Sequence, residues 1–524
     1  MKKSVAQKAY LWAIASGVCY VLSFPQYDLP HLGVFFLPLF LMSLHFCRST
    51  KQSLAIGFLL SSMVAWGGFH WIIYVAQYFG QMPLPAAVGL LCLYCLVAAP
   101  QMVAFSYFGF QWKHRIERLP LFVRPLFWSF LYVSLEYFAR LLKIFPENLG
   151  NTWVYFSGIS QIASLGGVAL LSFLPLFFGA SLLYIQRERA RAIPAAALAV
   201  AILLVSHFWG SAEIQRLESL PKKTLQVGIV QHNMDDAETA VKSGSVLTVF
   251  NQVVSKLLTL SQSLAKGSPK PDFILWPETS YFTTFPTRPD TVLGSFGYAN
   301  LVKDFVRSSE TPLLFGTYES DEQDTDYNVA VLLDPKNQDS LQVYRKNVLL
   351  IFGEYFPFLS YFPSLRKLNP LLGDFGRGPG PVPIPFHSSQ GTVLLGVNIC
   401  YEAILPEYMR GYATAGTHIF VNLTKDSWFG NTFEPWQHFQ LSQIRSIEHR
   451  IPMARSTNTG LSGTVSVTGK VDLLSLPFVE AHRTVPVSYF DPPLRPLYTV
   501  WGDWFVWLSL SSALGLLGFA YRKS

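Results

Sequence analysis

Three residues in the second half of the chain have the types and placement for acyl chemistry: Glu278, Lys346 and Cys400. Each ends an apolar, strand-like run: Leu275-Trp276-Pro277-Glu278, Tyr344-Arg345-Lys346 and Gly396-Val397-Asn398-Ile399-Cys400. A cysteine thiolate can attack an ester or amide carbonyl and hold the acyl group as a thioester. The attack needs a base that takes the thiol proton and returns it to the leaving group, which a buried carboxylate can do. It also needs positive charge or N–H donors where the oxyanion develops. Glu278, Lys346 and Cys400 cover these needs, and the backbone N–H of Tyr401 is a natural second oxyanion donor. Five histidines, His232, His387, His418, His438 and His449, offer competing bases, but no motif ties any of them to Cys400. No H-E-x-x-H or similar ligand spacing appears, so neither a metal nor a cofactor is expected.

The elements that must position these residues follow from local pattern. The apolar run Thr392 to Ile399 reads as a buried strand, and Glu402 to Tyr412 as the start of a helix. Cys400 then sits on a strand-to-helix turn, where a helix N-terminus is expected to favour the thiolate. A lone cysteine is more often a small buried hydrophobe; Glu278 and Lys346 set this one apart. The domain around it opens with an apolar strand, Thr224 to Asn233, followed by a helix near 238–265. Strands recur near 272–277, 312–318, 327–334, 340–346, 392–399, 418–424, 453–458 and 461–468, with helices near 297–308, 402–415 and 434–448. That alternation predicts a layered α/β or α+β fold. Gly376-Arg-Gly-Pro-Gly380 reads as a plain turn and not a phosphate loop.

The rest of the 524-residue chain is of another kind. Half of its residues are hydrophobic and only 14% are charged, which fits a membrane protein with an attached soluble part. Seven apolar spans are expected near 8–24, 30–47, 53–76, 84–110, 121–143, 162–186 and 192–210, and an eighth near 500–520. The domains predicted are 1–219 in the membrane, 220–498 soluble and catalytic, and 499–524 as a final span and tail. Met1-Lys2-Lys3 resembles the opening of a signal peptide, but the spans that follow at once favour an uncleaved first helix. Lys and Arg alternate between loops: Arg48 and Lys51, then Lys113, Arg115, Arg118 and Arg124, then Arg187, Arg189 and Arg191, and finally Arg522 and Lys523. The loops near 25–29, 77–83 and 144–161 carry none. The positive-inside rule then puts both termini in the cytoplasm and the soluble domain on the opposite side. The net charge of +7 is absorbed by these loops and does not argue for nucleic acid. Cys92-Leu-Tyr-Cys95 lies inside an apolar run and reads as packing, not a metal site.

Residues 351–375 form a long, Pro-broken aromatic connection directly after Lys346. Phe352, Phe356 and Phe358 are read as part of a mobile lid lying on the membrane surface, where aromatics are favoured. Glu136 and Arg140, four residues apart near the end of a span, read as an interfacial pair.

The residues also carry a resemblance. Trp276-Pro277-Glu278, Tyr344-Arg345-Lys346 and Asn398-Ile399-Cys400-Tyr401-Glu402 resemble the Glu-Lys-Cys core of the nitrilase superfamily. That core between seven spans and one resembles the bacterial apolipoprotein N-acyltransferases. So do Phe352 to Pro357, Asp426-Ser427-Trp428-Phe429-Gly430, Pro435-Trp436-Gln437-His438 and Arg455 to Gly460. The resemblance implies an αββα nitrilase-like sandwich facing the periplasm, on a multi-span helical domain in the bacterial inner membrane. It implies Glu278 as general base, Lys346 as electrostatic stabiliser and Cys400 as nucleophile, with supporting roles for Glu354, Tyr401 and Glu402. It implies a ping-pong reaction in which a membrane phospholipid is the acyl donor. The acceptor is a diacylglyceryl-modified apolipoprotein, and a monomer is expected. His232 and Lys425 depart from the family pattern of Gly and Asn and leave the substrate groove less defined. Two rivals stand beside this reading: a membrane-tethered amidase or hydrolase with water as acceptor, and a ligand-binding transporter or receptor. The second predicts ionisable residues inside several spans, which are scarce here.

Overall fold

The structure, a computed structural model, describes residues 2–140, 145, 148–234, 246–285, 296–351, 353–355 and 374–522. It separates into two compact units: Met1–Ser219 with Pro496–Ser524, and Leu220–Arg495. The first unit is helical. Among the described residues, Thr50–Phe69, Ala163–Glu188, Ile193–Ser219 and Trp504–Arg522 are long and apolar enough to cross a membrane. A fifth span forms if Leu84–Ala98 and Pro100–Ile116, bent by 44°, are counted as one. The bend has a cause in the sequence, since Pro100 can open a helix but cannot continue one. Of the other expected spans, the first is helical over the 21 residues Lys2–Leu22, while the fifth covers only 16, Arg124–Ala139. Gly33–Phe46 has 14 residues, roughly 21 Å of rise against a hydrocarbon core of about 30 Å. The span expected over 53–76 breaks after Phe69 and resumes as Trp71–Tyr78. Arg140 reaches Asp503 at 3.2 Å and lies over the Tyr137 ring, while Glu136 accepts the N–H of Leu149 at 2.9 Å.

The second unit is two sheets face to face. Its strands are β1 Lys223–Gln231, β2 Phe273–Leu275, β3 Tyr281–Thr284, β4 Leu313–Ser320, β5 Asp326–Asp334 and β6 Asn337–Arg345. They continue as β7 Ile384–Ser388, β8 Gly391–Ile399, β9 Ile419–Thr424, β10 Met453–Thr457, β11 Gly463–Val465, β12 Val471–Leu473 and β13 Ala481–Tyr489. One sheet runs β13-β1-β2-β4-β5-β6 with β3 beside β4; the other runs β12-β11-β10-β9-β8-β7. Leu225, Val227 and Ile229 of β1 share one buried core with Val393, Leu395 and Val397 of β8, so the two sheets bury facing sides. The opposite side of the first sheet buries Val230, Ile274 and Phe315 under the helices Val246–Ala265 and Phe296–Ser309. The helices Pro406–Thr414 and Glu434–His449 belong to the second sheet, giving the αββα layering that the resemblance implied.

The helix expected from Glu402 begins as a 3₁₀ turn, Cys400–Ile404, and becomes α-helical only at Pro406. Pro406 disfavours a helical residue before it, so the chain must restart there. Gly376–Gly380 does more than turn: the N–H groups of Gly376 and Gly378 bond the carbonyls of Asp326 and Lys346, at 2.8 Å each. Phe356 and Phe358, with Phe352, lie outside the described residues, and with them the expected lid.

Candidate active site

The three residues of interest each follow the end of a strand, and the two sheets bring them together. Glu278 lies three residues beyond β2, Lys346 directly follows β6, and Cys400 directly follows β8. Gly316 makes the first placement possible. A Cβ on it would lie 2.6 Å from the Glu278 Cα and 2.5 Å from the Thr279 nitrogen, so only glycine lets β4 pass this closely. Thr279 and Cys400 both have positive φ, 46° and 52°. That conformation costs a non-glycine residue roughly 1–2 kcal/mol. Such strain concentrates where a side chain must be aimed, and a sharp turn after a strand is how hydrolases present a nucleophile.

Lys346 is fully buried and held between two carboxylates. Its Nζ is 2.8 Å from Glu354 Oε1 and 3.3 Å from Glu278 Oε1. Burial opposes the ammonium, but Glu278, Glu354 and Cys400 outweigh it and hold the Lys346 pKa well above the ordinary lysine value. Glu354 therefore sits on Lys346, while Arg345 pairs with Glu319 at 2.7 Å. Asn328, on β5, was not singled out by sequence. Its Nδ2 bridges Glu278 at 2.8 Å and Glu354 at 2.9 Å, and its carbonyl takes the Lys346 N–H. The one signal was an amide opening the otherwise apolar run Val329 to Leu333. The remaining oxygens are also filled: Glu278 Oε2 by the Lys425 N–H and Glu354 Oε2 by the Leu350 N–H, both at 2.9 Å. Both carboxylates are therefore fixed in place, with the Glu278–Lys346 pair facing the thiol's electrostatic neighbourhood.

Cys400 is buried, and its thiol is pushed well above the ordinary cysteine range, first by desolvation and then by Glu278. Lys346 and a hydrogen bond from Thr424 pull the other way without overcoming this. The expectation that a helix N-terminus favours a resting thiolate is thus corrected. The turn after Cys400 is short and 3₁₀, and burial dominates. A resting thiol beside a carboxylate fits proton removal during attack better than a preformed thiolate.

Glu402 is fully buried and does not bond to the trio. Its Oε2 accepts the Ile399 N–H at 2.8 Å and the Tyr344 hydroxyl at 2.6 Å; its Oε1 accepts the N–H groups of Asn347 and Val348 at 2.7 and 3.0 Å. It ties the residues after β6 to the turn after β8 and so fixes Lys346 relative to Cys400. Tyr401 is half-buried and packs on the core. Trp436 also packs there, whereas Trp428 is 40% exposed, with the Lys425 ammonium 6.0 Å from its ring. His232 is buried at the end of β1.

Behind the turn lies a buried polar cluster whose roles the sequence did not disclose. His438 Nε2 is 3.2 Å from the Cys400 carbonyl, and Asp426 pairs with Arg455 at 3.2 Å. Burial disfavours the Asp426 charge, but Arg455 and His438 hold its pKa below the usual carboxylate value. Gly460 is required here too, since a Cβ would collide with the Asp426 carboxylate. From β10, Ser456 donates to the Val230 carbonyl of β1 at 2.7 Å, stitching one sheet to the other beside the site.

This is the fold of a carbon-nitrogen hydrolase domain, and the family model described as carbon-nitrogen hydrolase matches residues 226–472. A second, described as apolipoprotein N-acyltransferase N-terminal domain, matches residues 16–181. An apolipoprotein N-acyltransferase of Bdellovibrio bacteriovorus is 32% identical over 528 residues, covering 97% of this chain and 93% of the relative. One from Geobacter metallireducens is 29% identical, with 99% and 96% covered, and one from Vibrio vulnificus 26%, with 95% and 94% covered. The chain belongs to the apolipoprotein N-acyltransferase family.

Proposed function

We propose that this acyltransferase moves an acyl chain from a membrane phospholipid, through a thioester on Cys400, to the α-amino group of a diacylglyceryl-modified cysteine at a lipoprotein N-terminus. The observation that carries the reading is a buried ammonium, Lys346, gripped by Glu278 and Glu354 beside a thiol on a strained turn. In the first half-reaction Glu278 takes the Sγ proton as sulfur attacks the ester carbonyl. Lys346 and the Tyr401 N–H stabilise the oxyanion. The C–O bond breaks, Glu278 returns the proton to the departing alkoxide, and lysophospholipid leaves. In the second half-reaction the acceptor amine attacks the thioester, Glu278 removes its proton, and the C–S bond breaks. The thiolate is then reprotonated. A raised thiol pKa supports this order, because the proton stays until a carbonyl is in place.

The reading puts the protein in the bacterial inner membrane, acting as a monomer, with residues 220–495 facing the periplasm; the alternation of basic loops supports that orientation. Reporter fusions after Arg191 and at the C-terminus should then report cytoplasm, and one within 220–490 the far side. The deciding chemical experiment gives purified full-length protein a phospholipid and weighs the peptide containing Cys400. A gain of one acyl mass, discharged by a diacylglyceryl-cysteine peptide, is expected. Absence of the adduct overturns the mechanism. Equal discharge without any amine would make the protein a hydrolase.

A further inference from the structure

The carbonyl of Cys400 is held from behind. It accepts from His438 Nε2 at 3.2 Å and from Asn422 Nδ2 at 3.4 Å. His438 lies on the helix Glu434–His449 and Asn422 on β9, so two elements converge on one oxygen. On its other side, His438 Nδ1 is 3.2 Å from Arg455 Nη2 and 3.3 Å from Asp426 Oδ1. The Cys400 carbonyl can only accept, so Nε2 carries a proton, and in the neutral ring Nδ1 is then left to accept from Arg455. Arg455 Nη1 also donates to Asn422 Oδ1 at 2.5 Å, which orients the Asn422 amide so that its NH₂ donates to Asn398 Oδ1 at 2.8 Å and, more weakly, to the Cys400 carbonyl at 3.4 Å. One arginine thereby sets both donors. Burial and Arg455 hold the His438 pKa below the ordinary imidazole value, against Asp426, so the ring stays neutral with that proton in place.

Asp426, Glu434 and His438 present ligand atoms within 4.8 Å of one another, as a metal site does. Arg455 decides against that use: its guanidinium already bonds Asp426 and His438, and a metal ion would meet a fixed cation. The cluster faces a peptide group instead.

We propose that His438 is a positioning residue that, with Asn422, fixes the peptide plane between Cys400 and Tyr401 and so aims the Tyr401 N–H as an oxyanion donor. In a trans peptide the C=O and N–H point in opposite directions. Anchoring the carbonyl on His438 turns the Tyr401 N–H away from the cluster. The same anchor opposes relaxation of the Cys400 backbone from its positive φ. This rests on Cys400 being the nucleophile.

The test separates oxyanion stabilisation from thiol reactivity. Acylation by phospholipid passes through an oxyanion; alkylation by iodoacetamide is a displacement at a saturated carbon and does not. In full-length protein, His438→Phe should slow single-turnover acylation of Cys400 about 100-fold, the loss typical of a missing oxyanion donor. The donor KM should change less than about threefold, and so should alkylation, because the lost interaction belongs to the transition state. His438→Gln, which keeps an N–H donor, should recover most of the rate. If His438→Phe does not fold, Asn422→Ser removes the other donor and is read in the same way. Parallel loss of acylation and alkylation overturns the proposal, as does undiminished acylation. Cys400→Ala distinguishes the two levels. If it still transfers acyl chains, the nucleophile assignment falls and the positioning role with it. If it is dead while His438→Phe is fully active, only the positioning role falls.

Discussion

Replacing Lys346 by Met tests whether the ammonium governs its carboxylates as well as the oxyanion. Glu278 and Glu354 both bond Asn328 Nδ2, at 2.8 and 2.9 Å, so their inner oxygens are no more than roughly 6 Å apart. Without the ammonium, two buried like charges at that distance repel by about 3 kcal/mol at an effective dielectric constant near 20. The pair responds by sharing a proton. A protonated Glu278 cannot act as base, and the oxyanion loses its cation in the same step. Either loss alone is typically worth ~10²-fold or more, so Lys346→Met should slow acylation at least ~10²-fold. Adding Glu354→Gln should then restore part of the rate, about tenfold, by removing the repulsion and leaving Glu278 ionised. Single-turnover acylation of Cys400, followed by mass across the wild type and the single and double variants, reads both effects. If Lys346→Met stays within tenfold of wild type, the electrostatic role is wrong. If the double variant is no faster than Lys346→Met, the shared-proton reasoning is wrong even though the loss is real.

Other expectations follow from single features of the site. Cys400→Gly should be more stable than Cys400→Ala by up to ~1 kcal/mol, because only alanine pays for positive φ; equal melting temperatures would remove the strain argument. Iodoacetamide should alkylate Cys400 slowly at pH 7.5 and faster as pH rises beyond the ordinary thiol range, since burial and Glu278 raise its pKa; a plateau below pH 8 would contradict this. Glu434 is fully buried, and burial, with Asp426 adding to it, raises its pKa well above the ordinary value. The folded state therefore binds its proton more tightly than the unfolded chain. That stabilisation is complete below the unfolded pKa and is lost as pH climbs through the raised folded pKa. Glu434→Gln should flatten this fall, so its melting temperature should gain on wild type between pH 6 and 9; parallel curves would show that Glu434 does not titrate there.

The placement of the candidate residues was legible because each ends an apolar run, and strand ends are where a layered α/β fold exposes side chains. Most of the expected strands appear within a few residues of their predicted bounds. The exceptions are instructive. Four strands were missed: β3 and β12 span only 4 and 3 residues, and β7 and β13 carry Pro385 and Pro486, each proving to be an edge strand, where a sheet tolerates proline. β13 still alternates, with Val485, Val487 and Tyr489 buried. Asn328 and the His438 cluster were not legible as functional, because their roles depend on bonds to residues 38 to 50 positions away. The state of the Cys400 thiol was misread for a related reason: the helix expected to favour a thiolate is local, but the burial that raises the thiol pKa is tertiary.

The pairing of β1 with β13 bears on how the protein is made. All nine residues of β1 are matched, from Lys223 opposite Tyr489 to Gln231 opposite Ala481. The first strand of the unit synthesised thus waits for the last to cover its outer edge. An open edge invites pairing with other chains, so a nascent or truncated unit carries that hazard until residue 489 has emerged. On the proposed mechanism the same order withholds activity. Loops must close between Glu278 and Lys346, 68 residues apart, and between Cys400 and His438, 38 apart, before base, cation and turn coexist. Non-local closure is the slow part of folding. On the proposed mechanism a half-made chain lacks the assembled site, and chemistry begins only when the unit is whole.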